Sequence, residues 1–252
     1  MLREERHQLI LERLIQKGKV VATELSQQLQ VSEDTIRRDL REMDAAGLLH
    51  RVHGGALPKA PAAVRYDDRQ LHSIEAKEQL AEKAVSLVRD GQVIIMDGGT
   101  TTLRVAERLP RQLSATVVTN CPPIAVALAS HPGIEVIMLG GHLFKNSLIN
   151  IGAATVSALS NIRADLCFIG VYCIHPEIGL SVPFIEEMHV KRQMIASSSE
   201  VVAIATADKL GTSSSFIFSP ANALSCLVTE PEVSAGTLAP TGNWGLPLCN
   251  SL

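Results

Sequence analysis

The spacing of apolar and polar positions divides the chain into two regimes. Over residues 3–17, Leu9, Ile10, Leu14 and Ile15 form a two-turn apolar stripe on a helix that Gly18 ends. Ala22, Leu25 and Leu29 mark a second amphipathic helix, and Gln30-Val31 leaves room only for a tight turn after it. In the next stretch, VSEDTIRRDL, Ser32 can cap a third helix, with Glu33 and Asp34 at the positive end of its dipole. Ile36, Leu40 and Met43 recur at i, i+4 and i+7, which leaves Thr35, Arg37, Arg38 and Arg41 on the polar side. Gly47 suits the position just past that helix, and Leu48 to Ala56 reads as strand, glycine turn and strand, with Arg51 and His53 on the hairpin. Two short helices joined by a turn, the second bearing arginines, followed by a small hairpin, is the pattern of a winged helix-turn-helix. A plain helical hairpin with a solvated arginine face leaves the glycine-turned strands unexplained.

After the hairpin the pattern changes. Pro58-Lys59-Ala60-Pro61-Ala62-Ala63 has no apolar period and reads as a linker. Ile74 to Val88 is amphipathic, with Ala76, Leu80, Ala84 and Leu87 spaced by three or four. Short continuous apolar runs then recur at Val93–Met96, Ala115–Val118, Glu135–Leu139, Leu166–Ile169, Val201–Ala205 and Leu224–Val228, the form of strands buried on both faces. Helical patterns at Thr102–Leu109, Pro123–Ser130 and Phe184–Ala196 fill several of the gaps. The alternation predicts a three-layer α/β domain with a mostly parallel sheet. The expected division is a DNA-binding domain at 1–57, a linker at 58–72, an α/β effector-binding domain at 73–235 and an irregular tail at 236–252.

Composition narrows the class. A chain of 252 residues that is 46% hydrophobic can bury one small and one larger core. No apolar run approaches the roughly 18 residues that span a bilayer, and MLREERHQLI has no signal-peptide core, so a cytosolic protein without membrane association is expected. The five cysteines, Cys121, Cys167, Cys173, Cys226 and Cys249, are odd in number and never spaced C-x-x-C. They are expected to be reduced and mostly buried, without a metal site, and Cys173-x-His175 lacks further ligands. Residues 1–58 hold nine Lys/Arg and nine Asp/Glu, so attraction to DNA has to come from placement rather than net charge. One such domain binds weakly alone, which favours a homo-oligomer, dimer or tetramer.

Ligands of parallel sheets sit beyond the carboxyl ends of the strands. Asp97-Gly98-Gly99-Thr100-Thr101-Thr102 follows the first strand and enters a helix, offering close backbone approach, hydroxyls and N–H donors to a phosphate or carboxylate. Thr119-Asn120, Gly140-Gly141, Gly170 and Ala207-Asp208-Lys209 end later strands, and together the loops suggest one pocket. Each alone is an ordinary turn, and Glu186-Glu187 with Lys191 alone is a helix-face pair.

The run TIRRDLREMDAAGLLHRVHGGA, with ELSQQLQVSEDTIRRDL ahead of it, resembles the N-terminal signature of the DeoR family of bacterial transcriptional regulators. DGGTTT, VVTN, VIMLGG, EEMHVK and ADKLG resemble successive blocks of that family's C-terminal sensor domain, which is similar in fold to ribose-5-phosphate isomerase. The resemblance spans roughly residues 1–230. It implies a repressor of carbohydrate metabolism that binds double-stranded operator DNA, with contacts at Ser32, Thr35, Arg37, Arg38, Arg41, Arg51 and His53. It implies a phosphorylated sugar or related effector at Asp97, Gly98, Gly99, Thr100, Thr101, Thr119, Asn120, Gly141, Glu186, Lys191 and Lys209. No cofactor, metal or catalytic residue is expected.

The chain departs from the family pattern after Gly170, where Tyr172 and His175 stand in place of an acidic residue, and in the tail, which has no apolar run. The alternative function is a sugar-phosphate isomerase-like enzyme with an attached DNA-binding module. Asp97, Glu186 and Asp208 are its candidate acids and bases, but no recognisable catalytic order connects them.

Overall fold

A computed structural model describes residues 1–58, 65–231, 233 and 247–249. Helix α1 (Arg3–Lys17) ends at Gly18, whose φ of 68° lets its N–H reach back to the Leu14 carbonyl. The short strand β1 (Val20–Val21) leads into α2 (Ala22–Leu29), and Gln30 makes the tight turn in left-handed conformation. The side chain of Ser32 accepts from the Thr35 N–H at the start of α3 (Glu33–Ala45). Gly47, at φ 75°, and Leu48 then donate to the Asp44 and Met43 carbonyls. Strands β2 (His50–Val52) and β3 (Gly55–Leu57) form the wing, with β3 between β1 and β2. A Cβ at Gly55 would sit 1.9 Å from the Val20 carbonyl oxygen, so glycine lets the wing close on β1. Ile10, Leu14, Leu25, Ile36, Leu40, Met43 and Leu49 fill this domain's core, while Leu9 of the expected stripe is exposed and the Ile15 side chain lies outside the described residues.

A buried ion pair supplements that small core. The Arg6 guanidinium donates to both oxygens of Asp39, tying α1 to α3, and His7 Nε2 lies 3.2 Å from Asp39 Oδ1. Burial pushes the Asp39 carboxyl up, but hydrogen bonds from Arg6 and His7 outweigh it and hold the group below its usual value.

Beyond the linker, α4 (Tyr66–Leu71) and α5 (Ile74–Val85) precede β4 (Val93–Met96). Then follow α6 (Thr100–Glu107), β5 (Ala115–Thr119), α7 (Pro122–Leu128) and β6 (Ile134–Met138). A hairpin of β7 (His142–Phe144) and β8 (Ile149–Ile151) leads to α8 (Ala153–Ser160) and β9 (Ala164–Gly170). Strands β10 (Cys173–His175) and β11 (Gly179–Val182) precede α9 (Ile185–Ala196) and β12 (Ser198–Ile204), and β13 (Phe216–Ser219) and β14 (Cys226–Val228) complete the named strands.

The six strands expected from the apolar runs form one parallel sheet in the order β14-β12-β9-β4-β5-β6. Ile94, Ile95, Met96, Cys167, Phe168 and Ile169 in its centre are fully buried, as strands covered on both faces require. From β4 the chain runs one way to β5 and β6, and later returns to the other side as β9 and β12. The order therefore reverses between β4 and β9, which opens a crevice at their carboxyl ends. The β7-β8 hairpin, through Asn146, Ser147 and Ile149, and the segments flanking the antiparallel sheet β10-β11-β13, through Tyr172, Pro183 and Phe184, wall that crevice.

Two expectations need correction. Cys226 and Cys249 are joined in a disulfide, so only Cys121, Cys167 and Cys173 are free and buried. The cause is the path of the tail, which pattern alone does not reveal. Pro247 to Cys249 lies beside the outer edge of β14, with Leu248 bridged in parallel to Leu227. This part of the expected irregular tail is paired to the sheet, and its remaining residues lie outside those described.

Candidate functional site

The crevice between β4 and β9 holds a cavity of about 420 Å³, within the range of small-molecule sites. Its floor is the expected loop. Gly98, Gly99, Thr100, Thr101 and Thr102 line it where α6 begins, and α6 presents the N–H groups of its first turn there. At Gly98 a Cβ would stand 2.0 Å from Ile149 Cγ2, so only glycine fits against the β8 wall. Thr102 Oγ1 is buried and has no hydrogen-bond partner among the described residues.

Behind this floor Asp97 positions a cation. Its Oδ2 accepts from the Gly170 N–H at 2.9 Å and from Lys191 Nζ, and Lys191 also donates to the Gly170 carbonyl at 2.9 Å. Asp97 is fully buried and contributes no lining surface, whereas Lys191 does. The ammonium thus has two protein acceptors and one remaining proton directed by them.

Two cations that the sequence reading missed come from helices ahead of β4. Arg69 of α4 and Lys77 of α5 line the cavity together with Lys209. The Lys77 ammonium donates to the carbonyls of Arg69 and His72, the C-terminal end of α4, at 2.5 Å for His72. Burial, then the nearby charges of Lys209 and Arg69, push the Lys77 pKa down to about 8. Burial likewise lowers Lys209, against the raising effect of Asp208. Arg69 Nε and Nη2 are buried without a hydrogen-bond partner among the described residues, its guanidinium lying 5.8 Å from the centre of the Tyr66 ring. Such a concentration of cations favours an anion. A signal for Lys77 was present, since it shares the buried stripe of α5 with Leu80, Ala81 and Ala84.

Polar and acidic groups complete the lining. Glu187, not its neighbour Glu186, lines the cavity and accepts from the Ser147 hydroxyl at 2.6 Å. Glu186 faces solvent. Tyr172 also lines the cavity, its phenol pushed up to about 12 mainly by burial and therefore neutral. His175 is buried away from the cavity lining, with Nδ1 accepting from the Glu177 N–H at 3.2 Å. Three further positions expected to contact the effector do not line the cavity: Thr119 and Asn120 are buried beneath it in structural hydrogen bonds, and Gly141 is exposed. Thr119 Oγ1 donates to the Met96 carbonyl at 2.7 Å and accepts from the Cys121 N–H at 3.1 Å. Asn120 holds β8 through the Asn150 carbonyl at 3.0 Å. Gly141, at φ 152°, lets the chain pass close to Ile151 and Thr155.

The nucleic-acid face is simpler. Ser32, Arg37, Arg38 and Arg41 are exposed along α3, with Thr35 half-buried, and Arg51 and His53 are exposed on the wing. Arg37 pairs with Glu33 one turn earlier at 2.9 Å. The Arg51 N–H donates to Asp44 Oδ1 at 3.2 Å, which fixes the wing against the end of α3. No described helix is long and apolar enough to cross a membrane.

Comparison with known proteins agrees with both halves. Residues 6–59 match the model of the DeoR-like helix-turn-helix domain, and residues 72–231 that of the DeoR C terminal sensor domain. The chain is 33% identical over 246 residues to the HTH-type transcriptional regulator GolR of Listeria innocua, covering 97% of each. It is 30% identical over 252 residues to the glycerol-3-phosphate regulon repressor of Escherichia coli, covering 99% of this chain and 100% of that one. Among solved structures, ribose 5-phosphate isomerase A of Methanocaldococcus jannaschii aligns over 54% of each chain with a TM-score of 0.41 and 17% identity. The relatives matched along their whole length are named as regulators, so the reading as an isomerase-like enzyme is set aside. With two domain models in this order and relatives of full length, the chain belongs to the DeoR family and is a DNA-binding transcriptional regulator with a small-molecule sensor domain.

Proposed function

We propose that the chain is a repressor whose effector is a phosphorylated sugar or related phosphorylated metabolite, held in the cavity between β4 and β9. The observation that carries this reading is the placement of Arg69, Lys77 and Lys209 around the hydroxyl and N–H donors of Gly98 to Thr102. A phosphate monoester brings about −1.5 to −2 charge and three acceptor oxygens, which matches two or three cations and a helix start. Glu187, Ser147 and Tyr172 supply acceptors and donors suited to hydroxyl groups. The Escherichia coli relative, a glycerol-3-phosphate regulon repressor, supports a phosphorylated ligand.

In this reading residues 1–57 bind operator DNA through Ser32, Thr35, Arg37, Arg38, Arg41, Arg51 and His53, and the effector-sensing unit begins at α4 rather than at residue 73, because Tyr66 is in its core and Arg69 lines the cavity, which shortens the linker expected at 58–72. Two or four copies act together, because one half-site contacted by a domain without net positive charge holds DNA weakly. Effector preference for one arrangement of the copies then sets the spacing of the recognition helices. A thermal-shift panel of sugar phosphates beside their unphosphorylated parents tests the ligand class. Stabilisation by a phosphorylated compound and not by its parent supports the reading. If the panel's only stabilisers are unphosphorylated, the phosphate assignment is wrong.

A further inference from the structure

The disulfide between Cys226 and Cys249 lies outside the effector cavity and the DNA-binding face, at the outer edge of the parallel sheet. β14 is the last strand on that side, and among the described residues the segment Pro247 to Cys249 is what pairs along its outer edge. That segment is held by two backbone hydrogen bonds, both to Leu227. The Leu227 N–H donates to the Pro247 carbonyl at 3.0 Å, and the Cys249 N–H to the Leu227 carbonyl at 3.0 Å. The covalent tie therefore supplements a short pairing that is marginal by itself. Without the tail, the Leu227 donor and acceptor would stand at an open sheet edge. β14 also backs the effector cavity, since Val228 pairs with Ile204, which lines the cavity.

We propose that Cys226 and Cys249 form a reversible thiol–disulfide site that locks the C-terminal segment over the β14 edge when a low-molecular-weight disulfide is present. The half-buried Cys249, as thiolate, attacks one sulfur of RS–SR; one RS⁻ leaves and is protonated to RSH, leaving a mixed disulfide on Cys249. Cys226, as thiolate, attacks the Cys249 sulfur and expels the second RS⁻, again protonated. Two cysteine thiols and one RS–SR thus become one cystine and two RSH, and excess thiol reverses the exchange. The Cα atoms of the pair lie 5.9 Å apart and the backbone pairing aligns them, so no chain movement is needed. The other three cysteines do not compete. Cys121, Cys167 and Cys173 are buried, and burial raises all three, Cys121 and Cys173 to about 11, so they remain unreactive thiols.

The test uses the full chain equilibrated with oxidised glutathione or with dithiothreitol, then unfolded and alkylated with N-ethylmaleimide. No Lys or Arg follows Lys209, so trypsin leaves both cysteines in one peptide, whereas a glutamyl endopeptidase cutting after Glu232 separates them. After oxidation the separated peptides should be linked, with Cys121, Cys167 and Cys173 alkylated. Alkylation of Cys226 and Cys249 in the oxidised sample, a different linkage, or a persistent glutathione adduct overturns the site. The melting temperature of the oxidised wild type should exceed that of the reduced form by roughly 5–10 °C. Cys226→Ser and Cys249→Ser should each abolish the difference. Equal melting temperatures for oxidised and reduced wild type overturn the lock, and the peptide mapping decides the chemistry even if a variant folds poorly.

Discussion

Lys191 donates its ammonium proton to Asp97 across a separation of 94 residues, joining α9 to the end of β4 behind the cavity floor. Asp97 aims the cation without touching the cavity itself. Asp97→Asn keeps the shape but removes the charge that orients Lys191. Effector affinity should fall about fivefold or more, on the order of 1–3 kcal/mol, with DNA binding in the absence of effector unchanged. Calorimetric titration with the effector checks this, and an unchanged Kd would remove Asp97 from the account.

The lowered pKa of Lys77 gives effector binding a pH dependence. In the empty protein the ammonium is destabilised by burial and by Lys209 and Arg69, so its pKa lies near 8 rather than at its unfolded value. For a group depressed on folding, the stability contribution is present above the unfolded pKa and lost as pH falls through the folded one. An anion in the cavity restores the ammonium, so binding takes up a proton. Affinity should be highest below about pH 8 and fall as pH rises through that value, by up to tenfold per unit. Lys77→Met should bind weakly and lose this slope. A wild-type Kd flat from pH 7 to 9 contradicts the assignment.

Asp39 is depressed on folding as well, but by its hydrogen-bond partners rather than by burial. Its folded pKa is held down by Arg6 and His7, so its contribution is present above the unfolded carboxylate value and lost as pH falls through the folded one. Asp39→Asn leaves the buried Arg6 charge unmatched and should destabilise the DNA-binding domain by about 3–5 kcal/mol at neutral pH. The deficit relative to wild type should shrink in acid. Urea melts at two pH values measure both effects, and a variant as stable as wild type at pH 7 would show that the pair adds nothing.

On the recognition helix, Arg38→Ala should weaken operator binding and reduce the salt slope by about one, as expected for a lost phosphate contact. Arg37→Ala should cost less, because Glu33 already engages that guanidinium. Full affinity of both variants at physiological salt would exclude α3 as the recognition element.

Much of this architecture was legible in the sequence because periodicity reports burial directly. The runs from Val93 to Val228 became the six parallel strands, and Ser32, Gly18 and Gly47 marked real helix ends. The elements that escaped are short or amphipathically weak. α8, rich in Ala and Ser, has no clear stripe, β10 and β11 form a hairpin of very short strands, and β13 pairs with β11 from far along the chain. The site was half legible. Loops that follow strands announced Gly98 to Thr101 and Lys209, but Arg69 and Lys77 enter from helices upstream of the sheet, which strand-end reasoning does not cover. Glu187 was displaced by its neighbour because a helix start leaves the facing residue undetermined by one position.

The most direct test of the central claim is fluorescence anisotropy of an operator fragment, selected from genomic DNA by the full-length protein and titrated with the phosphorylated compound that stabilises it most. Wild type should change its DNA affinity at least fivefold on adding that compound, as a coupling of 1–3 kcal/mol requires, whereas Thr101→Trp, filling the cavity floor, should bind DNA equally with and without it. A compound that binds wild type yet leaves its DNA affinity unchanged, or a Thr101→Trp protein that still responds, would contradict the account.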